Sequence, residues 1–566
     1  MKNNPSELVR KKRLPIGLSD FRKLRENDCH YTDKSLLIRD VVGAYDEVLL
    51  FPRPRRFGKT LNLSMLRYFF EKSDEDRSTL FDGLAVRDDP LSGAHQGKYP
   101  VIWMTFKDAK ALSWENMCEG LCGVIAREVE RHREILGWKD ISPTARTQLI
   151  SVLERKASER AYQESLMVLS EQLSRYHNKQ VVILIDEYDT PLHAGYAKGY
   201  YEEIISFLRN FLSGGLKDNE HLFRGVVTGI LRVAKESVFS GLNNLGVYTI
   251  LEEEFGTAFG FTETEVRCLL DAYDLSDRWE EVSHWYDGYL FGDTVIFNPW
   301  SVLNYVAKKG RKARPYWVNT ASTEIIDDLA TRGGRELREE IGLLLEGGSI
   351  TKPVYDSIVM RDLEKRDNLL WSFLLFSGYL RCAGGAVRKN FYELMIPNEE
   401  VRLIYEDMVD RWFAEKTDSN QLEEMLMALE TGDVRLFGRM LRRIVTQVMS
   451  YHDLAGEPEK VYHALVLGML VWMSGKYDIR SNRESGYGRY DLMLKPKDVS
   501  RQGIIIEFKK VDEEDEDKET PETALKHALE QIEARQYAAE LEAAGITDIL
   551  KLAIAFRGKE LWVRQG

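Results

Sequence analysis

Short apolar runs separated by longer amphipathic stretches pattern the first half of the chain. Val48–Pro52 (VLLFP), Val101–Phe106 (VIWMTF), Val181–Ile185 (VVILI) and Gly225–Thr228 (GVVT) have the length and β-branched content of strands. A loop follows the first run, and then a helical pattern from Lys59 to Phe70. Apolar strands separated by helices predict a parallel α/β sheet with both faces covered.

The pattern changes near Phe261. In FTETEVRCLLDAY, Thr262 stands as a helix N-cap with Glu265 three residues on, a capping-box spacing ahead of an apolar stripe. The chain then reads as mostly helical, with a few short strand-like pieces, to about Ser450. An α/β pattern resumes with a helix at Glu457–Ser474 and strands near Tyr477–Ser481, Tyr490–Leu494 and Ile504–Lys509. A helix Glu522–Ala543 and a strand Leu552–Phe556 follow, and Val511–Glu522 (VDEEDEDKETPE) reads as a solvated acidic loop. The predicted division is 1–260, 261–452 and 453–566: an α/β sheet domain, a mainly helical lid or connector, and a second α/β domain.

Composition narrows the function. The chain has 566 residues, 44% hydrophobic and 30% charged, which is ordinary for globular domains and too long for one core. A net charge of -13 argues against non-specific coating of nucleic acid, although a local basic cleft remains compatible with it. The 5 cysteines suggest no disulfide framework and favour a reducing compartment. No apolar stretch approaches the roughly 18 residues of a spanning helix, and the first residues lack a signal-peptide pattern, so a cytoplasmic protein without membrane contact is expected. Cys118 and Cys122 read as buried thiols, His463 as a core residue, and Tyr286, Tyr289, Phe291, Phe297, Trp300 and Tyr305 as packing aromatics.

Candidate chemistry begins after the first strand. In RPRRFGKT the second half of a phosphate loop, Gly58-Lys59-Thr60, is intact, while Arg53 stands where the first glycine is usual. Gly58 lets backbone N–H groups turn towards phosphate, Lys59 reaches the β- and γ-phosphates, the Thr60 hydroxyl can ligate Mg²⁺, and the helix N-terminus adds its dipole. Arg55, Arg56 and Phe57 complete the loop. The strand Val181–Ile185 ends in Asp186-Glu187-Tyr188-Asp189. Asp186 would hold Mg²⁺, directly or through water, and Glu187 would orient the attacking water. Asp189 fits equally a cap or a turn. Thr228, closing the fourth strand, could sense the γ-phosphate, and Arg232 could neutralise transition-state charge or simply form a surface ion pair.

RPRRFGKT, LIDEYDTPL, VVTGILRVAKESVFSGLNNL, FGFTETEV and YDGYLFGDTVIFNPWSVLNYV together resemble the prokaryotic AAA-ATPase-like family, a divergent P-loop group related to signal-transduction ATPases with numerous domains. The resemblance spans about Leu14–Trp317. In that family an Arg-rich loop commonly replaces the first glycine. It implies ATP as ligand, with Lys59, Thr60, Asp186 and Glu187 in the nucleotide site.

A second constellation lies near the C-terminus: Glu484, Asp491, Glu507 and Lys509, in NRESGYGRYDLML and IIIEFKK. Glu507 and Lys509 are two apart in one strand pattern and share a face. Carboxylates on adjacent strands can hold Mg²⁺ or Mn²⁺, and a nearby Lys can orient or help deprotonate a water. Charged residues at an exposed strand end are the plain alternative. Asp…Glu-x-Lys resembles the PD-(D/E)XK nuclease superfamily, whose helix–strand order this segment follows, with Tyr490 in place of the usual Pro. Gln531, Arg535 and Tyr537 resemble the polar residues such nucleases set beside the site, and this module is known to accompany the N-terminal family.

The expectation is an ATP- and Mg-using P-loop ATPase joined to a Mg-dependent nuclease acting on nucleic acid, DNA ahead of RNA, in prokaryotic defence or mobile-element control. A protein partner or self-association is a further expectation. The alternative is a nucleotide-switched signalling or nucleic-acid-binding protein whose nuclease-like domain does not cut.

Overall fold

The computed structural model describes residues 11–232, 238–239, 242–317, 335–345, 347–356, 367–416, 419–448, 466, 469–473, 475–481, 484–485, 488–511 and 520–566. The chain divides into two compact units, Met1–Ser322 with Thr351–Val401 and Thr323–Ile350 with Arg402–Gly566.

In the first unit, β1 (Val48–Pro52), β2 (Val101–Thr105), β3 (Val181–Asp186), β4 (Leu222–Gly229) and β5 (Leu245–Val247) form one sheet of order β2-β3-β4-β1-β5. Every pairing is parallel. Every residue of β1 and β3 is buried, as a strand between two helical layers requires. The helices α1 (Lys59–Phe70), α2 (Trp114–Arg131), α3 (Glu159–His177) and α4 (Tyr201–Leu216) flank it. The sheet has one strand more than the pattern predicts. β5 is only three residues long and half-buried, so its apolar signal is weak.

The capping box expected at Thr262 is present: Thr262 accepts from the backbone of Glu265, whose side chain accepts in turn from the Thr262 N–H at the start of α5 (Glu263–Ala272). Of the six aromatics expected in the core, Tyr286, Tyr289, Phe291, Phe297 and Tyr305 are buried. Trp300 is only partly buried. It opens α6 (Pro299–Ala307) and stacks on Arg56, with the guanidinium carbon 4.3 Å from the ring centre. Cys118 and Cys122 are only partly covered, contrary to expectation, one turn apart on α2; burial still pushes both thiols upward, Cys122 to about 12.

The second unit holds a sheet of five strands: β6 (Tyr477–Ser481), β7 (Leu492–Pro496), β8 (Gly503–Lys510), β9 (Ile549–Arg557) and β10 (Glu560–Gln565), in sequence order across the sheet. Only β8 and β9 run parallel. Two boundaries differ from expectation. β7 begins at Leu492, because Tyr490 turns into the core and lies edge-on to Tyr537, ring centres 6.1 Å apart. The predicted helix Glu522–Ala543 is two helices, α7 (Pro521–Ala534) and α8 (Ala539–Ala543). Between them Gln536 takes a left-handed φ of 52°, and the Tyr537 N–H returns to the Ile532 carbonyl, which drives Tyr537 into the core. The expected helix at 457–474 and the acidic loop fall mostly outside the described residues, and His463 and the Glu484 side chain wholly so.

Candidate functional sites at the carboxyl edges of two sheets

Parallel register brings the carboxyl ends of the first sheet together: Thr105 pairs with Asp186, Phe51 with Thr228 and Pro52 with Gly229. This edge is where open α/β sheets bind ligands. β1 runs into the loop Arg53–Gly58. Gly58 is the N-cap of α1 at φ 85°, a conformation that favours glycine. Arg56 also takes a left-handed φ of 69°.

Asp186 is fully buried and receives three hydroxyls. Thr228 donates to Oδ1 at 2.9 Å, and Thr60 and Thr105 donate to Oδ2 at 2.9 and 3.2 Å. Burial, and then the neighbouring Glu187, push its carboxyl above the usual range. The Lys59 ammonium is buried and donates to the Arg53 and Pro54 carbonyls, both at 3.0 Å. Burial lowers its pKa, opposed by Glu187, Asp189 and Asp186. Glu187 sits at a left-handed φ of 51° and accepts from Thr190 at 3.2 Å.

Asp189 resolves as a brace. Its Oδ2 accepts the N–H groups of Ile230 and Leu231 at 2.7 and 3.0 Å, tying the end of β3 to the loop after β4. Gly229 is needed there, since a Cβ would lie 2.7 Å from both the Asp189 Oδ1 and Tyr188. Arg232 is not drawn into the group; its guanidinium pairs with Asp356 at 2.5 Å.

Arg53, where the first glycine is usual, is fully buried. Its guanidinium donates to the carbonyls of Pro52 at 2.9 Å, Tyr248 at 2.5 Å and Phe255 at 3.3 Å, between the rings of Phe259 and Phe291. Burial pulls its pKa down to about 9. The residue fastens the loop to the segment 248–259. Its signal in the sequence was a cation in place of a turn glycine.

A cavity of about 490 Å³ opens over the loop, within the roughly 300–1,000 Å³ typical of ligand sites. Arg55, Arg56, Phe57, Gly58, Lys59, Thr60 and Glu187 line it. So do Lys107 and Lys110, which pattern reading passed over although they follow β2 directly. Adjacent oxygens of Thr60 and Asp186 suit a hard cation such as Mg²⁺, and the cations around them suit a polyphosphate.

In the second unit, Asp491 precedes β7 and its Oδ2 accepts the Phe508 N–H at 2.7 Å across the strand pair. Glu507 on β8 is buried, its Oε1 meets the Gln531 side-chain amide of α7, and Lys509 stands 4.0 Å away. The same amide of Gln531 donates to the Tyr537 hydroxyl at 3.2 Å. Burial pushes that hydroxyl upward, opposed by the Gln531 hydrogen bond. Among the described residues no cluster of three or more His, Cys, Asp or Glu could cage an ion alone. A divalent ion at either site would share oxygens with phosphate and water, as Mg²⁺ habitually does.

Residues 15–239 match the family described as predicted AAA-ATPase, and residues 457–566 match the PD-(D/E)XK nuclease superfamily. A protein of Azotobacter chroococcum mcd 1, named only as an uncharacterized protein in the vnfD 5′ region, is 27% identical over 555 residues, covering 94% of this chain and 95% of its own length. The Walker-type ATPase of Pyrococcus abyssi aligns over 70% of this chain and 98% of its own, at 14% identity and a TM-score of 0.34. No helix among the described residues is long and apolar enough to cross a membrane. The two family matches give the chain a predicted AAA-ATPase domain followed by a PD-(D/E)XK nuclease superfamily domain, the architecture its motifs resemble.

Proposed function

We propose that the chain binds and hydrolyses ATP in the first unit and uses that turnover to control Mg-dependent cleavage of nucleic acid, DNA ahead of RNA, by the second. The observation that carries the reading is the Thr60–Asp186–Thr228 hydroxyl–carboxylate group set beside Lys59 at the mouth of a cation-lined cavity. Lys59 would exchange its two carbonyl acceptors for phosphate oxygens. Thr60 and Asp186 would hold Mg²⁺, which neutralises charge on the β- and γ-phosphates when bound. Glu187 would orient the attacking water, and Thr228 would keep Asp186 turned towards the loop. In the second unit Asp491 and Glu507 would hold the metal, Gln531 would fix the Glu507 carboxylate, and Lys509 would steer the water. A role in prokaryotic defence or mobile-element control follows from the family resemblance.

The test incubates the purified full chain with single-stranded, duplex and branched DNA and with RNA, each with and without ATP and Mg²⁺, while phosphate release is followed. ATP-dependent release together with Mg-dependent cleavage is expected. Binding of nucleic acid without cleavage under any condition would favour the nucleotide-switched, non-cutting alternative. Absence of ATP binding would reject the reading of the first unit.

A further inference from the structure

The cavity over the phosphate loop is lined by six cations, Lys34, Arg55, Arg56, Lys59, Lys107 and Lys110, against one carboxylate, Glu187, in a chain of net charge -13. Two of the cations already have partners: Lys34 pairs with Glu265 at 2.7 Å, and Lys59 holds the loop carbonyls. Arg56 is stacked on Trp300. Arg55, Lys107 and Lys110 have no ion pair among the described residues, and of these three only the two lysines are exposed. Asp108 lies between them in sequence but does not line the cavity.

Their loop is nevertheless fixed. The Phe106 N–H donates to the Asp186 carbonyl at 3.0 Å, the Ala109 N–H to the Phe106 carbonyl at 2.9 Å, and the Tyr200 hydroxyl to the Ala111 carbonyl at 2.7 Å. Phe106 and Ala109 are buried, so the two lysines are carried outward by anchored neighbours. Position in the sheet gives the loop its place. It leaves β2, on the far side of β3 from β4 and β1, and begins one residue after Thr105, which donates to Asp186. Lys107 and Lys110 therefore leave the sheet at the Asp186–Glu187 end of the cavity. Free cations at that end meet the phosphate furthest along a chain that starts on the loop.

We propose that Lys107 and Lys110 read the terminal phosphate of a nucleoside triphosphate in this cavity and so distinguish it from the diphosphate. The inference rests on the nucleotide reading above and adds a specificity determinant supplied within the same chain. An ammonium on a phosphate oxygen is a charge-assisted contact that the diphosphate cannot make.

The test measures Mg·ATP and Mg·ADP affinity by calorimetry on the full chain for wild type, Lys107→Ala, Lys110→Ala, the double alanine variant and Lys107→Arg/Lys110→Arg. Both positions are exposed, so the variants should fold, and circular dichroism checks this. The double alanine variant is expected to bind ATP roughly tenfold or more weakly, with ADP affinity unchanged, as for the loss of charge-assisted contacts to one phosphate. The arginine pair should restore the preference. Equal weakening of ATP and ADP, or no change in either, overturns the proposal while leaving the nucleotide reading intact. A wild type that binds neither nucleotide overturns both.

Discussion

The two candidate sites hold their carboxylates by different means. Asp186 is surrounded by hydroxyls from three other elements, Thr60 from the loop helix, Thr105 from β2 and Thr228 from β4. Glu507 is met by an amide from the helix after its strand, and Asp491 by a backbone N–H. A hydroxyl is both donor and acceptor and rotates at little cost. The first site can therefore give up a hydrogen bond to Asp186 and turn the same oxygen towards an ion. A backbone N–H cannot turn away, so Asp491 keeps one oxygen committed to the Phe508 N–H. The first arrangement suits repeated exchange of ligands, and the second suits a fixed pair of carboxylates.

If that contrast is right, the largest effect belongs to the fixed pair. Asp491→Ala should reduce metal-dependent cleavage below detection while nucleic-acid binding persists or strengthens, since a carboxylate that repels phosphate is gone. Lys509→Ala should also lose cleavage but keep most of the metal, because it supplies no ligand. Cleavage assays with metal-binding calorimetry check both, and an Asp491→Ala protein that still cuts would remove the second site from consideration.

The exchangeable site has its own pair of tests. Glu187→Gln should slow ATP hydrolysis roughly a hundred- to ten-thousandfold with ATP still bound, the usual contribution of a positioned base. Lys59→Ala should weaken ATP binding by on the order of 2–3 kcal/mol, about 30- to 150-fold in Kd, the charge-assisted contact being lost. Wild-type turnover in the first variant, or wild-type affinity in the second, would mean that the cavity serves another purpose.

How much of this was legible depends on where the partners sit in the chain. Gly58-Lys59-Thr60 and Asp186-Glu187 are contiguous and follow apolar strands, so their pattern carries their chemistry. Lys107 and Lys110 have no such motif. They matter because β2 lies beside β3, a fact of sheet order that no local window contains. The two strands beside Asp491 and Glu507 were readable as apolar runs, although the first starts one residue after Asp491. The break at Gln536 was not, because a helical pattern runs through it and only the burial of Tyr537 ends the helix.

Arg53 gives a smaller and sharper test of the exchangeable site. A change to Gly restores the usual first residue of a phosphate loop, and on motif grounds should be neutral or helpful. The structure predicts the reverse. Arg53→Gly leaves the carbonyls of Tyr248 and Phe255 without this donor and opens space between Phe259 and Phe291. Thermal unfolding should show a loss of roughly 1–3 kcal/mol, the range for breaking a buried polar group's contacts. Unchanged stability with unchanged ATP affinity would show that the loop needs no fastening to the segment 248–259.

The smallest effect on the site separates its titration from that of the surrounding scaffold. Glu400 is another buried carboxyl of the same unit and does not line the cavity; it accepts the Trp317 N–H at 2.6 Å and the Ser301 hydroxyl at 2.7 Å. Burial raises its pKa from 4.5 to about 7. Between those values the folded chain holds a proton that the unfolded chain has released, so stability falls as pH rises. Its contribution is complete below the unfolded value and is lost as pH rises through about 7. Glu400→Gln, which cannot ionise, should flatten the decline in melting temperature across that window while leaving ATP affinity unchanged. Asp186 is also raised by burial, but on the proposed reading it would face phosphate and metal, so its titration should appear in nucleotide affinity. A Glu400→Gln protein whose stability keeps the wild-type slope would place the scaffold's pH sensitivity in another group. One whose ATP affinity shifts would show that the loop and the Trp317 segment, joined where the Trp317 indole donates to the Arg55 carbonyl at 3.2 Å, move as one piece.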